Sequence, residues 1–316
     1  MSAALALGER GVGRTGTNPS VGCIIVKDAR IIGRGWTQAG GRPHAEAAAI
    51  EQAGDEAKDA TFYVTLEPCA HESDRGPACA DLITAAKPAR VVIAARDPDP
   101  RTAGKGIERL REAGIEVSTG ILENEARSSM AGFFSRIEKD RPLVTLKLAT
   151  SLDGMIAMTD GSSRWITGEA ARAHVHLERA RCDAILVGGG TLRADNPTLD
   201  VRIPGLENRG PERIALTAGN VPEGWKSVRK PEEIFGLPYN SLFIEGGAET
   251  AASFLKAGLV DRLLLYRAPI LIGKGLACLG DIGLAELTDA HGQWNLLDSR
   301  MFGPDRMELY ADGQAA

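Results

Sequence analysis

Short apolar runs alternate with stretches of helical periodicity along the whole chain, the pattern of an α/β protein. VGCIIV and IIGRGW flank Lys27–Arg30, which predicts two strands joined by a hairpin turn. His44 to Ala53 has the composition of a helix, with Gly54 as its C-terminal cap. TFYVTL and RVVIAA read as strands, and ACADLITAA between them as a helix stopped before Pro88. Further helices are expected near Ile107–Ala113 and from Asn124 to Phe134. The charged stretch from Ser135 to Arg141, ending at Pro142, reads as a seam, so residues 1–141 and 142–316 are expected to form separate domains.

The pattern then restarts. PLVTLKLA, AILVGGG, RIALTA, SLFIEGG, RLLLYRAPIL and RMELYA are expected strands, Ser151–Gly154 a turn, and Glu169–Arg181 and Ala248–Lys256 helices. There is no internal repeat, and the two halves do not resemble each other. A fusion of two different α/β domains follows.

With 37 Lys and Arg against 42 Asp and Glu, and no basic run, the chain lacks the footprint of a phosphate-gripping nucleic-acid binder. No stretch approaches a membrane span, and the apolar patch of MSAALALGERGVG is too short for a secretory signal core. The five cysteines are scattered, which argues against a disulfide framework and for a cytoplasmic protein.

Two short segments concentrate the chemistry. Pro43-His44-Ala45-Glu46 opens a helix, and Thr65-Leu66-Glu67-Pro68-Cys69 ends a strand, with Cys79 at the start of the next helix. One imidazole and two thiolates are good zinc ligands, and a catalytic zinc takes three protein ligands and leaves the fourth position to water. The metal lowers the pKa of that water from about 16 towards about 7. Glu46, two residues beyond His44, is placed to carry a proton from the water to a departing amine. This arrangement resembles the signature of zinc nucleobase deaminases, H-x-E followed by P-C-x-x-C, with the glutamate outside the ligand set. Nine residues, Ala70 to Ala78, separate the cysteines here where that signature has two. A structural site closed by His71 as fourth ligand is the alternative, and it leaves Glu46 without a purpose.

TNPSVGCIIV, RPHAEAAAI and TLEPCAHESDRGPACADLI, continuing through RVVIAARDPDPRTAGKGIERLREAGIEV, resemble the deaminase domain of the bifunctional deaminase–reductase family of riboflavin biosynthesis. The resemblance implies a cytidine-deaminase-like three-layer α/β/α domain. It also implies that Asn18, Pro19 and Val21 sit under a pyrimidine ring, and that His71 and Arg75 face the substrate or its ribose phosphate.

In the second half, strands run into glycines ahead of a helix at Gly188–Thr191 and at Gly246–Thr250, turns whose free N–H groups suit a phosphate. Neither is a G-x-G-x-x-G fingerprint. LKLATSLDG, SRWITG, AILVGGGTLRADNPTLDVR and FIEGGAET together resemble the reductase domain of the same family. That resemblance implies a dihydrofolate-reductase-like α/β domain that uses NADPH and forms a homo-oligomer. Thr150, Trp165, Thr191, Asp195 and the turn with Gly247, Ala248, Glu249 and Thr250 would contact the cofactor. Ser163, Arg179, Leu199, Arg202 and Glu245 would contact the substrate. Lys147 and Asp153, near the strand end, are candidates for stabilising charge or relaying a proton.

Between Leu199 and Glu245 the chain is more compact than the family pattern, and a strand–helix segment that would extend the sheet is expected to be missing. The reading that follows is a zinc- and NADPH-dependent bifunctional enzyme acting on a pyrimidine ribose phosphate. The alternative is a deaminase whose compact second domain has lost reduction.

Overall fold

The hairpin forms where the apolar runs place it. A short helix, α1 (Ser2–Gly8), leads into β1 (Gly22–Lys27), which turns through Asp28 and Ala29 into antiparallel β2 (Arg30–Trp36). Both turn residues have positive φ (49° and 59°), as a two-residue turn matched to the strand twist requires. The structure is a computed structural model and describes residues 1–71 and 75–313. In it the chain divides into two units, Met1–Asp140 and Arg141–Ala316.

The first unit continues with α2 (Ala45–Ala53), β3 (Thr61–Leu66), α3 (Cys79–Ala86), β4 (Arg90–Ala95), α4 (Lys105–Glu112) and β5 (Glu116–Thr119). Its sheet has the order β2-β1-β3-β4-β5, with β3, β4 and β5 parallel and β1 antiparallel to both its neighbours. α3 packs against both α2 and α4, and α1 packs against the helix α5 (Glu123–Ser129). Ile25, Phe62, Val64, Val91 and Ile93 fill the core between these elements. At about 1.5–3 kcal/mol for each buried side chain of this size, such residues dominate the favourable side of folding.

The alanine-rich α2 lies flush on β2. A Cβ at Gly35 would stand 2.0 Å from the Ala45 carbonyl oxygen, so glycine there lets the first turn of α2 rest on the strand. That close approach fixes where His44 and Glu46 project.

One expected helix is corrected. Asn124 to Phe134 is not continuous: α5 ends at Ser129, Met130 leaves helical geometry with φ −113°, and α6 (Ala131–Glu138) follows. α6 runs into the stretch read as a seam because Phe133, Phe134 and Ser135 are buried.

The second unit is built from β6 (Leu143–Thr150), β7 (Met155–Met158), α7 (Glu169–Arg181), β8 (Ala184–Gly188), α8 (Gly189–Asp195), β9 (Glu212–Leu216) and β10 (Trp225–Val228). It continues through β11 (Ser241–Ile244), α9 (Ala248–Lys256), β12 (Arg262–Arg267), β13 (Gly275–Ala277), β14 (Trp294–Phe302) and β15 (Asp305–Asp312). The main sheet has the order β10-β9-β8-β11-β6-β12-β15-β14, parallel from β10 to β12 and antiparallel at the β15-β14 edge; β7 and β13 form a separate ribbon. Along β8, Ala184 and Leu186 enter one buried cluster while Ile185 and Val187 enter another, so both faces of the sheet are covered.

The expected gap in this sheet is also corrected. The Pro-rich stretch carries β10, which pairs with β9 and extends the sheet, anchored by the buried Val228. Only the helix is lacking there among the described residues, its place taken by a single 3₁₀ turn at Pro231–Ile234. Four residues of WKSV are too few to display alternation, so the strand was not legible in sequence.

Candidate active site

His44 caps the N-terminus of α2 with extended backbone (φ −70°, ψ 163°), Cys69 lies three residues beyond β3, and Cys79 is the first residue of α3. These three elements bring the three candidate ligands together, with all three ligand atoms within 4.8 Å of one another. His44 Nδ1 lies 3.2 Å from Cys79 Sγ and 3.6 Å from Cys69 Sγ. Zn–N and Zn–S bonds of about 2.0 and about 2.3 Å at a tetrahedral angle put nitrogen and sulfur about 3.5 Å apart, so the donor set fits zinc. His71 does not join the cluster. Its Nδ1 is instead 3.3 Å from Thr102 Oγ1, which removes the closed four-ligand alternative among the described residues.

The thiol pair is polarised. Cys69 is pulled down to about 4, chiefly by the hydrogen bond from the Cys79 thiol and further by His44 and the Cys79 backbone N–H, while Cys79 is pushed up by the same shared bond and by burial. A bound cation would deprotonate both. Glu46, in the first turn of α2, is 3 % exposed, and burial raises its carboxyl above the ordinary range.

Of the residues expected to face the substrate, Asn18 and Arg75 meet the turn at 38–41. Asn18 packs on Gly41, where a Cβ would stand 2.0 Å from its amide nitrogen. Arg75 donates from Nη2 to the Gly40 carbonyl at 2.8 Å. Glu72, Ser73 and Asp74, also within the quoted insertion, lie outside the described residues.

In the second unit β8 and β11 are parallel neighbours, so the two glycine turns that end them stand side by side. A Cβ on Gly247 would lie 3.9 Å from Thr191 Oγ1, and one on Gly188 would meet Thr250 Oγ1 at 2.1 Å. Thr191, Gly247 and Thr250 are therefore brought together, with Ala248 opening α9. Glu249 is turned towards Gly280, and Asp195 ends α8. Thr150, the last residue of β6, is buried. Trp165 is 67 % exposed and carries the Arg172 guanidinium 4.5 Å above its ring, so it is no core residue. Ser163 lies in the same exposed loop.

Arg179 and Glu245 meet in a bidentate pair (2.6 and 3.1 Å), and Arg179 also donates to the Asp200 carbonyl at 3.0 Å. Lys147 Nζ approaches the same Glu245 carboxyl at 3.7 Å. Leu199 is buried with φ 51°, and Arg202 is exposed and bound to Asp200 at 3.0 Å. Asp153 accepts from the Ile272 and Gly273 N–H groups and from Ser151, so it is engaged in holding the 270–273 loop.

Sequence reasoning missed Glu67. Its side chain is buried and accepts four backbone N–H groups between residues 97 and 107. An acidic residue closing an apolar strand was the available signal, since a buried carboxyl must be paired.

Residues 142–234 and 236–306 match the RibD C-terminal domain, and residues 1–95 match the cytidine and deoxycytidylate deaminase zinc-binding region. The riboflavin biosynthesis protein RibD of Escherichia coli K12 is 39 % identical, over 96 % of this chain and 96 % of its own. This chain belongs to the RibD family. The RibD of Synechocystis is 43 % identical over 96 % of this chain and 93 % of its own. Among solved structures, Acinetobacter baumannii RibD superposes with a TM-score of 0.89 at 35 % identity, covering 98 % of this chain and 97 % of that one. A diaminohydroxyphosphoribosylaminopyrimidine deaminase/5-amino-6-(5-phosphoribosylamino)uracil reductase from Thermotoga maritima also gives 0.89, at 32 % identity over 99 % and 97 %. The fold expectation holds, a deaminase joined to a RibD-type reductase, and the deaminase-only alternative is not favoured. No helix of the described residues is long and apolar enough to cross a membrane.

Proposed function

We propose that residues 1–141 hydrolyse the 2-amino group of 2,5-diamino-6-(5-phosphoribosylamino)pyrimidin-4(3H)-one, and that residues 142–316 then reduce the ribosyl chain of the product to ribityl with NADPH. The observation that carries the first half is the convergence of His44, Cys69 and Cys79 beside the buried Glu46. Zinc, when bound by these three residues, supplies an acidified water, its pKa lowered towards about 7. Glu46 takes the proton from that water on a carboxyl oxygen. Burial, which favours its protonated form, equips it to pass that proton to the ring nitrogen; a second proton, taken by the same carboxyl from the hydroxyl added to the ring carbon, goes to the departing amine, which leaves as ammonia. Asn18 and Arg75, held at the 38–41 turn, orient the pyrimidine and its ribose phosphate, with His71 steadied by Thr102.

In the second half, Thr150, Trp165, Thr191, Asp195 and the turn of Gly247, Ala248, Glu249 and Thr250 hold the nicotinamide cofactor. The first N–H groups of α9 are oriented for its phosphate. Ser163, Arg179, Leu199, Arg202 and Glu245 receive the substrate. Lys147 and Arg179 together outnumber Glu245 by one positive charge, which suits an anionic ribose phosphate. A cytoplasmic homo-oligomer acting on a small molecule, with no nucleic acid or membrane partner, completes the reading. The free state of all five cysteines supports that compartment.

The test is single-turnover conversion of the diaminopyrimidine phosphate, following ammonia and NADPH absorbance separately, with and without a zinc chelator. The expected result is ammonia release abolished by chelation and NADPH oxidation that lags behind it. Absence of ammonia from this substrate would overturn the assignment, and ammonia without NADPH oxidation would overturn the second half alone.

A further inference from the structure

The Cys69 ligand leaves β3 through Glu67 and Pro68, and the donors that hold the Glu67 side chain in place lie thirty to forty residues further along the chain. Glu67 Oε1 accepts the backbone N–H groups of Gly106 (3.0 Å) and Ile107 (3.2 Å), and Oε2 accepts those of Gly104 (3.0 Å) and Asp97 (3.3 Å). Its own backbone N–H donates to Ala95 at the end of β4. The three donors at 104–107 are the first N–H groups of α4, which a helix cannot satisfy internally.

Two further contacts fit the same helix against the ligand loop. A Cβ on Gly106 would stand 2.1 Å from the Pro68 carbonyl oxygen, so only glycine lets α4 press this close to the residue before Cys69. One turn on, Arg109 donates to the carbonyl of Ala70, the residue after Cys69, at 3.0 Å, while its other amino group binds Asp81 of α3, the helix that Cys79 opens. The segment gathered by Glu67 also carries Thr102, the partner of His71.

We propose that Glu67 is a positioning residue of the deaminase site: by collecting the N–H groups of Asp97, Gly104, Gly106 and Ile107 it clamps the start of α4 beneath the Cys69 loop. It holds the Cys69 thiolate in register with His44 and Cys79, and through Thr102 it holds His71 towards the substrate. The proposal rests on the zinc deaminase reading above. It assigns Glu67 no contact with substrate or metal.

Glu67→Gln keeps the shape but presents an amide NH₂ to two of the four donors, which it cannot accept from. The experiment uses the full chain and measures transfer of zinc to a chromogenic chelator, deaminase kcat and KM, and NADPH oxidation on supplied deaminated product. Arg109→Ala, at a half-exposed side chain, is the second variant. A core variant such as Ile93→Val, chosen for a matched loss of Tm, is the control for loss of stability alone. Partners that orient metal ligands commonly change metal affinity by about 10–100-fold, so Glu67→Gln should release zinc about tenfold faster than the matched control. KM should rise as His71 loosens, and NADPH oxidation should stay unchanged. Arg109→Ala should show a smaller acceleration of zinc release. Release from both variants at the rate of the matched control would overturn the proposal, and if Glu67→Gln does not fold, an unchanged rate in Arg109→Ala overturns it alone. A wild-type chain that holds no zinc would instead overturn the deaminase reading, so the two failures are distinct.

Discussion

Both units carry their candidate chemistry where parallel strands end and helices begin, but they neutralise it by opposite means. In the first, an imidazole and two thiols are turned onto one another, and two of those groups become negative when they act as ligands. A cation brought from outside would balance them there. In the second, Arg179 and Lys147 converge on Glu245, and the charges balance within the chain to one unit. The metal site is therefore completed by its ion, whereas the charged cluster is a finished piece of structure before any ligand arrives. Function in the first unit should respond to removal of a group without much change in folding. In the second, removal of a charge should reach folding directly.

The strongest way to break this comparison is Glu46→Gln. The amide fills the same space but cannot carry the proton, and general acid–base catalysis by a placed side chain contributes about 10²–10⁴-fold. Deamination should fall by about 10³-fold at unchanged zinc content, with NADPH oxidation on supplied deaminated product intact. A loss below about tenfold would remove Glu46 from the reaction.

Glu245→Gln is the counterpart in the second unit. It leaves Arg179 and Lys147 in a half-closed site without their carboxylate, and breaking a buried pair costs about 3–5 kcal/mol. Since Arg179 and Glu245 keep some exposure (14 % and 11 %), the lower end, about 3 kcal/mol, is the expectation for urea unfolding of this unit. A cost within about 1 kcal/mol, the range of surface pairs, would mean that the cluster is not self-sufficient and that the contrast between the units fails.

Much of this was legible in sequence, and the exceptions have physical causes. β3 and β4 were readable to the residue because they are continuous apolar runs bounded by breakers. α7 and α9 were readable because helical composition runs without a breaker from the glycine that precedes each, Gly168 and Gly247. β14 was missed because WNLLDSRMF exposes Leu296, Leu297 and Met301 on an edge, so its apolar positions follow no core-facing alternation. β7, β10 and β13 are three or four residues long and make their sense only through pairing. At the site, the ligands and Glu46 were visible because zinc chemistry demands particular side chains at short spacings. Glu67 was not, because its partners are backbone N–H groups, which every residue but proline possesses and no sequence pattern marks. Likewise nothing local announces that Arg179 will find Glu245 sixty-six positions away.

The smallest effect sharpens the comparison with a second pair of carboxyls. Glu245 is disfavoured as an anion by burial, yet Lys147 and Arg179 overcome this and hold it below its ordinary value. Asp97, in the loop that Glu67 gathers, is buried with the Asp99 N–H as its bond donor, and burial wins, pushing it up from 3.8 to about 7. The consequence for stability has the reverse sign of a paired acid. Below its ordinary value Asp97 is protonated whether the chain is folded or not, and contributes nothing to the pH dependence. As pH rises from there to about 7 the unfolded chain releases this proton while the folded one keeps it, so folding loses stability across that window and the penalty is constant above it. Asp97→Asn, which retains an oxygen for the Asp99 N–H and has no proton to lose, should gain Tm over the parent progressively from pH 4 to pH 7 and then run parallel to it. With roughly 2–8 °C of Tm per kcal/mol in units of this size, the gain should be several degrees. A Tm difference that stays flat from acid to neutral pH would show that Asp97 titrates as an ordinary acid, and that the first unit, like the second, has found a partner for its buried charge.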